Sequence, residues 1–266
     1  MTGILIAAAV VGAVGILIGV FLGVSGEKFK VEVDERENLV REQLPGNNCG
    51  GCGYAGCDAC AKAIVEGKAK VNACAGCSDE NVAVISSIMG VEAEAAQKRV
   101  AYAKCAGTCD KAKNNYTYIG VEDCKIAAQM QGGGPKTCTY GCLGFGNCKK
   151  VCPCDAITIV NGVPVVDENK CIGCGSCVLA CPRQVMAIRP VKKRTVAVEC
   201  NSQDKGKAVM DACASGCIGC TLCVKECPFE AITMNGNIPV IDYDKCKGCG
   251  KCALKCPKKV IKLIQA

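Results

Sequence analysis

The sequence predicts an α+β fold built of small modules: an N-terminal transmembrane helix, a small helical domain and two tandem α+β units. Three observations support this prediction. Cysteine accounts for 28 of the 266 residues, a level typical of disulfide scaffolds and metal-loaded proteins. The chain begins with a long uncharged segment, and its cysteine positions repeat internally. We therefore expect modules held together by metal rather than by one large apolar core.

The composition also excludes several classes of function. The chain has no histidine, which excludes Ser-His-Asp and Cys-His catalysis, Cys2His2 zinc sites, Rieske centres and His-ligated haem. The formal net charge of +7 counts every cysteine as neutral, whereas six thiolate-ligated [4Fe–4S] clusters would bring the total to about −5. We therefore expect no nucleic-acid partner, and we interpret Lys192–Arg194 as a solvated linker.

The N-terminal segment has the properties of a membrane anchor. Ile4–Val24 contains 21 residues without a charge, which as a helix spans about 32 Å, enough to cross a bilayer. A cleaved signal peptide fits less well, since no Lys or Arg precedes Lys28 and the apolar run is too long. Lys28 and Lys30 follow the segment. The positive-inside rule then predicts a single-pass protein of the cell membrane with the bulk of the chain in the cytoplasm. Cysteines in that reducing compartment are expected to bind metal rather than form disulfides.

An internal repeat of 75 residues organises the second half of the chain. The cysteines of its first copy are Cys138, Cys142, Cys148, Cys152, Cys171, Cys174, Cys177 and Cys181. Those of its second copy are Cys213, Cys217, Cys223, Cys227, Cys246, Cys249, Cys252 and Cys256. Between the cysteine groups, β-rich runs flank Asn161-Gly162 and Asn235-Gly236, a signal for β-hairpins. Each copy is therefore predicted to be one small α+β unit.

The motif C-x2-C-x2-C-x3-C-P begins at Cys171, Cys217 and Cys246. This is the spacing of bacterial ferredoxins, in which the fourth cysteine ligates the other cluster of the pair. Zinc modules instead separate two CxxC pairs by a longer stretch. We therefore predict two bacterial-ferredoxin-like units, each with two [4Fe–4S] clusters.

Exchange of the fourth cysteines predicts the ligands of these clusters. The regular sets are Cys217, Cys220, Cys223 with Cys256; Cys246, Cys249, Cys252 with Cys227; and Cys171, Cys174, Cys177 with Cys152. The remaining site is irregular because Phe145 stands where the second copy has Cys220. Its cysteines Cys142, Cys148 and Cys181 need another ligand, and Cys138 is the nearest available.

Two further sites are predicted outside the ferredoxin motifs. The ligands of the first, in a small α-helical Fe–S domain, are Cys49, Cys52, Cys57 and Cys74. Cys60 and Cys77 are local alternatives, and Cys60 is expected to be a buried thiol. The candidates for a sixth cluster are Cys105, Cys109, Cys124, Cys200 and Cys213; otherwise they are inert thiols. The chain is thus predicted to bind about six [4Fe–4S] clusters.

These features divide the chain into seven segments. They are a transmembrane anchor (1–26), a linker (27–45), the N-terminal [4Fe–4S] domain (46–80), a helical linker or insertion (81–134), ferredoxin-like unit 1 (135–190), a linker (191–212) and ferredoxin-like unit 2 (213–266).

The anchor, the segments CGGCGYAGC (49–57) and KTCTYGCLGFGNCKKVCP (136–153), and the tandem ferredoxin motifs resemble the B subunit of the Rnf complex. That family is the membrane-bound, ion-translocating ferredoxin:NAD⁺ oxidoreductase of bacteria. The resemblance implies a long form with an extra ferredoxin repeat. It also implies electron acceptance from soluble ferredoxin and transfer to other membrane and peripheral subunits, where NAD⁺ reduction and Na⁺ or H⁺ transport occur.

Other functions share some of these features. An electron-transfer subunit of a membrane hydrogenase or of a heterodisulfide-reductase-like complex would have the same motifs, and a zinc-binding scaffold is the non-redox alternative. The sequence has no P-loop and no G-x-G-x-x-G after a strand, so we expect no catalytic residue of its own. The predicted partners are other subunits, soluble ferredoxin and membrane lipid.

Overall fold

The computed structural model describes residues 2–28, 34–92 and 97–265. Its helices are α1 (Thr2–Lys28), α2 (Glu35–Gln43), α3 (Cys57–Val65), α4 (Asp79–Met89), α5 (Cys124–Ala128), α6 (Asn147–Lys150), α7 (Ser176–Ala180), α8 (Gly206–Ala212), α9 (Leu222–Lys225) and α10 (Lys251–Lys255). Its strands are β1 (Arg99–Ala103), β2 (Ile157–Val160), β3 (Val163–Val166), β4 (Met186–Pro190), β5 (Arg194–Val198), β6 (Ile232–Asn235), β7 (Ile238–Ile241) and β8 (Ile261–Gln265). Residue 1 of the predicted anchor, Lys30 in the predicted linker 27–45, residues 93–96 in the predicted segment 81–134, and residue 266 lie outside the described residues.

The first helix, α1, is rich in exposed apolar side chains. Leu17 and Phe21 are each 70% exposed. Within the part of the chain that the structure describes, no helix combines the length and the apolar character needed to cross a membrane. The transmembrane anchor at 1–26 stays a prediction.

The N-terminal module is a small bundle of α2, α3 and α4. Its core contains Val40, Ile64 and Ile85, each no more than 1% exposed. The Asp34 carboxylate caps α2 by accepting a hydrogen bond from the Arg36 amide (2.9 Å), and the Ser78 hydroxyl caps α4. Helix α2 lies in the predicted linker 27–45 and α4 extends into the predicted segment 81–134. The module is therefore larger than the predicted range 46–80, because flanking helices supply part of its core.

Each repeat contains a β-hairpin and a second strand pair that joins its two ends. The hairpins β2–β3 and β6–β7 are antiparallel, with Ile157 opposite Val166 and Ile232 opposite Ile241, which confirms the hairpins predicted from the sequence. Strand β1 pairs with β4 and β5 pairs with β8, again antiparallel. The first and last strands of each unit are thus neighbours.

Two segments predicted to be linkers belong to these units. Strand β1 lies within 81–134, predicted to be a helical linker or insertion, and β5 lies within 191–212. Lys192–Arg194 was predicted to be a solvated linker; Arg194 is indeed exposed, but it begins β5 and pairs with Gln265 instead of lying in a linker. The four residues after Arg194 are all buried. Their burial against β8 overrides the preceding charge run.

Cysteine is a main constituent of the cores of both units. In the second unit, Val196, Ile232 and Ile261 are buried beside Cys217 and Cys252. The first unit has a similar core in which buried cysteines lie next to the strands. An isolated two-stranded sheet is marginal in water. The thiols therefore lie in cores whose two-stranded sheets need additional stabilisation, which bound metal could supply.

Candidate iron–sulfur sites

Each of the 28 cysteines is a free thiol, and many of them surround four cavities. Each cavity has a volume of about 20 Å³ and is partly open to solvent. Protein interiors are close-packed, so a gap lined by several thiols indicates a place where a bound group belongs. Among the described residues, no group of three or more Cys, Asp or Glu side chains is arranged to hold a single metal ion.

The N-terminal cavity lies in the helical module. The cysteines that line it are Cys49, Cys52, Cys57, Cys60, Cys74 and Cys174. The Asn48 side chain fixes the start of α3 by accepting a hydrogen bond from the Cys57 amide (2.8 Å). All four predicted ligands therefore meet here. Cys60, which is 1% exposed, lines the cavity as well, whereas the Cys77 thiol donates to the Gln43 carbonyl (3.5 Å).

The Cys171 cavity lies in the first unit and contains the predicted ligand set. Its cysteines are Cys152, Cys154, Cys171, Cys174 and Cys177. Backbone amides point at two of these sulfurs: Ala101 donates to Sγ of Cys171 and Ala156 donates to Sγ of Cys152, both at 3.3 Å. Such N–H donors stabilise negative charge on sulfur. Cys154 is an additional thiol at this cavity.

The Cys142 cavity differs from the prediction in its fourth cysteine. The cysteines that line it are Cys124, Cys142, Cys148 and Cys181. The sequence assigned Cys138 to this site, but Cys138 lines a different cavity. Cys124 is brought in by the buried Asn147 side chain, which accepts from the Cys124 amide (2.9 Å) and donates to the Asp123 carboxylate (2.8 Å).

The insertion that carries Cys124 also covers the position of the missing motif cysteine. The ring of Tyr118 packs against that of Phe145, with 5.1 Å between the ring centroids. Asp123 caps α5 by accepting from the amides of Lys125 and Ile126. The insertion thus places a cysteine from a separate helix at a cavity where the motif has a cysteine of its own.

The inter-repeat cavity lies between the two ferredoxin-like units. The cysteines that line it are Cys105, Cys138, Cys200 and Cys213. Three of these were among the candidates for a sixth cluster, and Cys138 was not. Lys136, only 5% exposed, and Glu199 line the same cavity.

In the second unit, neighbouring thiols follow the exchanged pattern predicted from the motifs. Cys217 interacts electrostatically with Cys220 and with the distant Cys256. The same is true of the other loop, where the interacting thiols are those of Cys252, Cys246, Cys249 and Cys227. Each loop therefore lies near the cysteine that follows the other loop, as the predicted ligand sets require, and these sets stay a prediction.

Cys109, the remaining candidate for the sixth cluster, lies at the turn of the first hairpin. It is exposed, and its amide donates to the Asn161 carbonyl (3.0 Å). Its sulfur lies 2.6 Å from the position that a Cβ would take at Gly162. This packing gives Cys109 a structural role beside the turn.

Burial gives the cavity thiols a chemistry that suits metal binding. Burial, assisted by neighbouring thiolates, raises the pKa of Cys142 and of Cys177 to about 12. It also raises the pKa of Cys148 and of Cys252 to about 11. These thiols therefore stay protonated at neutral pH unless a positive charge enters the cavity, and a bound metal deprotonates a coordinating thiol. The all-thiol donor sets, the voids and the N–H donors fit [4Fe–4S] clusters.

Comparison with known protein families agrees with this chemistry. Residues 44–75 match a family described as "Putative Fe-S cluster". Residues 164–234 and 216–260 match families described as "4Fe-4S dicluster domain". These matches cover the N-terminal cavity and the ferredoxin motifs.

Full-length relatives identify the family. The chain is 46% identical to the B subunit of the Na(+)-translocating ferredoxin:NAD(+) oxidoreductase complex of Acetobacterium woodii, over 93% of this chain and 74% of the relative. It belongs to this family of B subunits. The B subunit of the proton-translocating complex of Clostridium ljungdahlii is 44% identical over 92% of this chain and 87% of the relative. The B subunit of the ion-translocating oxidoreductase complex of Methanosarcina acetivorans is 41% identical over 96% of both chains. The resemblance predicted from the motifs is thus confirmed.

In this B subunit, the signal that sequence reasoning missed is a second repeat offset. Cys105 and Cys200 are 95 residues apart, and each lies two residues after the first strand of its unit, β1 or β5. The offset of 75 residues that relates the other cysteines does not align Cys105 with Cys200. The insertion after β1 shifts the register, so the equivalence becomes visible only once β1 and β5 are aligned.

The N-terminal cavity of the B subunit adjoins the Cys171 cavity, because Cys174 lines both. The backbones approach closely at this contact. A Cβ at Gly51 would overlap the carbonyl oxygen of Cys174, and one at Gly76 would lie 3.1 Å from the Ile172 side chain. Glycine at position 51 is therefore required for the N-terminal module to contact the 171–177 loop.

We expect Gly51→Val to separate the N-terminal module from the first ferredoxin-like unit of the B subunit. The added side chain overlaps backbone atoms of Cys174, which cannot move as easily as a flexible side chain. Hydrogen exchange at 171–174 and proteolysis between β1 and α4 should both increase several-fold. The exposed neighbour Ala55 provides the control Ala55→Val, which should change neither. Equal protection in Gly51→Val and in the unsubstituted chain would contradict this contact.

Proposed function

We propose that this chain is a membrane-anchored electron-transfer subunit of an ion-translocating ferredoxin:NAD⁺ oxidoreductase. It accepts electrons from reduced soluble ferredoxin and passes them to other subunits of the complex. NAD⁺ reduction and the transport of Na⁺ or H⁺ take place in those subunits, and this chain has no catalytic site of its own. The observation that carries the proposal is the series of thiol-lined cavities in a chain of this family.

The proposed cofactors are about six [4Fe–4S] clusters. The ligands proposed for five of them are Cys49, Cys52, Cys57, Cys74; Cys152, Cys171, Cys174, Cys177; Cys124, Cys142, Cys148, Cys181; Cys217, Cys220, Cys223, Cys256; and Cys227, Cys246, Cys249, Cys252. The inter-repeat cavity accounts for the sixth.

The clusters supply one-electron transfer, and the protein provides their environment. The chain limits the access of water to many of the thiols, which are buried or half-buried. It also directs amides at sulfur, as Val185 does to Cys181 (3.3 Å) and Ala231 does to Cys227 (3.4 Å). Such hydrogen bonds and the degree of burial are the main means by which a protein sets cluster potentials.

The test of this function is a metal analysis combined with electron acceptance. Anaerobically purified protein should contain about 24 iron and 24 sulfide per chain, with coupled [4Fe–4S] EPR signals after reduction. Reduced soluble 2[4Fe–4S] ferredoxin should elicit the same signals when it is mixed with the oxidised chain. Stoichiometric zinc without sulfide would overturn the proposal in favour of a zinc scaffold. Clusters that reduced ferredoxin leaves oxidised would favour another electron donor.

We expect deletion of residues 1–26 to release the chain from the membrane when it is produced without partner subunits. The proposed anchor supplies the exposed apolar side chains of α1, including Leu17 and Phe21, and burying a transmembrane helix in lipid is effectively irreversible. The full chain should sediment with membranes, resist alkaline carbonate and dissolve in detergent. The shortened chain should stay in the supernatant with unchanged iron content. Release of the full chain by carbonate would contradict the anchor.

A further inference from the structure

We infer that Cys105, Cys138, Cys200 and Cys213 form one iron–sulfur site shared equally by the two repeats. The inference rests on the proposed electron-transfer function and deepens it. These four thiols line a single cavity. None of them belongs to a C-x2-C-x2-C motif, and no matched domain covers Cys105 or Cys138.

The site has an internal two-fold equivalence. Cys138 and Cys213 are equivalent under the 75-residue repeat. Cys105 and Cys200 are equivalent in the structure, because each follows the first strand of its unit by the same two residues. Each unit thus contributes one cysteine after its first strand and one before its first motif.

The hydrogen bonds to sulfur repeat this equivalence. The amide of Cys142 donates to Sγ of Cys105 (3.4 Å), and the amide of Cys217 donates to Sγ of Cys200 (3.3 Å). Cys142 and Cys217 are themselves equivalent first cysteines of neighbouring sites. The inter-repeat cavity is therefore in direct contact with one proposed cluster site of each unit.

Backbone pairing between the two insertions holds the four cysteines together. The amide of Ala106 donates to the carbonyl of Glu199 (2.9 Å). The amide of Lys113 donates to the carbonyl of Ala212 (3.0 Å), and the amide of Ala214 donates to the carbonyl of Lys111 (2.9 Å). These bonds cross from one repeat to the other immediately beside the cysteines. Hydrogen bonds between the units therefore hold the four cysteines around this cavity.

Space and charge at the cavity both suit an anionic cluster. Gly107 leaves room, since a Cβ there would lie 3.4 Å from the sulfurs of Cys105 and Cys213. The buried Lys136 ammonium donates to the Gly107 carbonyl (2.8 Å), and a buried charge requires compensation. A [4Fe–4S]²⁺ site with four thiolates carries about −2 and compensates the ammonium.

The experiment compares iron and sulfide in the full chain with Cys105→Ala, Cys200→Ala and the double variant. Because the two cysteines belong to different repeats but to one site, each single variant should lose up to about four iron, and the double variant should lose no more than about four. Cys109→Ala is the matched control, since that exposed thiol lies in the same insertion and should leave the content unchanged.

Additive losses of about eight iron in the double variant would overturn the shared site, because the two cysteines would then serve separate clusters. Unchanged iron in both single variants would also overturn it. A single variant that loses more than about eight iron has unfolded. The iron content of the unsubstituted protein then tests the site. About 24 iron per chain supports it, and about 20 contradicts it. A content of about 20 with ferredoxin-dependent reduction intact overturns only this inference, whereas zinc without sulfide overturns the proposed function itself.

Discussion

Replacing Cys124 by alanine is expected to destroy the cluster at the Cys142 cavity. The structure gives this cavity four thiols, and Cys124 is the only one outside the ferredoxin repeat pattern. Three remaining ligands cannot hold all four irons of a cubane by thiolate. We expect a loss of up to about four iron per chain, together with a change in the EPR spectrum of the reduced protein.

Combined substitutions show which cysteines share a cluster with Cys124. Because Cys124 and Cys148 line one cavity, the variant Cys124→Ala/Cys148→Ala should lose no more iron than Cys148→Ala alone. Cys138 lines another cavity, so Cys138→Ala/Cys148→Ala should lose about twice as much. The reverse pattern, with Cys138 non-additive and Cys124 additive, would restore the ligand assigned from the sequence.

A variant that leaves every cysteine in place tests the same geometry. The Asn147 side chain holds Cys124 through hydrogen bonds to its amide and to the Asp123 carboxylate. Asn147→Leu keeps the size of the side chain but leaves the Cys124 amide without this acceptor, at a cost of about 1–3 kcal/mol. We expect iron at this site to be lost more readily to a chelator than in the unsubstituted chain. The control is Asn169→Leu, whose side chain is exposed.

The ferredoxin-like parts of the fold were predictable because their information is local. A motif such as that beginning at Cys171 fixes three ligands within seven residues, and the turn Asn161-Gly162 fixes the register of its hairpin. Such short-range patterns can be interpreted without knowledge of the rest of the chain. The exchange of the fourth cysteine also follows from the motif family rather than from tertiary structure.

The irregular sites depended on contacts that no local pattern encodes. Cys124 reaches its cavity because Asn147, on another element, binds the turn before α5. Cys138 is nearer in sequence to Cys142, but it joins Cys213 across the interface between the units. When an insertion folds back on itself, proximity in sequence does not predict which cysteines share a cavity. The strand β5 was missed for a related reason, since its burial comes from β8, almost seventy residues later.

Removing the iron is expected to unfold both ferredoxin-like units. Four of the eleven buried residues in the core of the second unit are cysteines, and its sheets have only two strands each. Domains with so little apolar core usually need metals or disulfides to be stable. In the iron-free chain the cavities of the first unit and of the interface between the units are left unfilled, and unfilled space in a core is destabilising.

The expected outcome of iron removal follows from comparing the free energy that a metal site contributes with the total stability of a domain. A structural zinc site in a small peptide contributes about 10–16 kcal/mol to folding, and a typical domain has a total stability of only about 5–15 kcal/mol. If an iron–sulfur site contributes on the same order, the loss of even one per unit exceeds what the apolar contacts can offset. The units should therefore unfold cooperatively as clusters are lost rather than persist as folded apoprotein.

Hydrogen exchange measured before and after anaerobic removal of iron with ferricyanide and a chelator tests this expectation. Amides of the strand pairs β1–β4 and β5–β8, hydrogen-bonded in the structure, should lose nearly all protection. Chelator without oxidant serves as the control, because it should leave both iron and protection in place. Retained protection in the iron-free chain would mean that Val196, Ile232, Ile261 and their neighbours suffice to fold the second unit. The cysteines would then be passive members of a self-sufficient core, and cluster binding would follow folding instead of driving it.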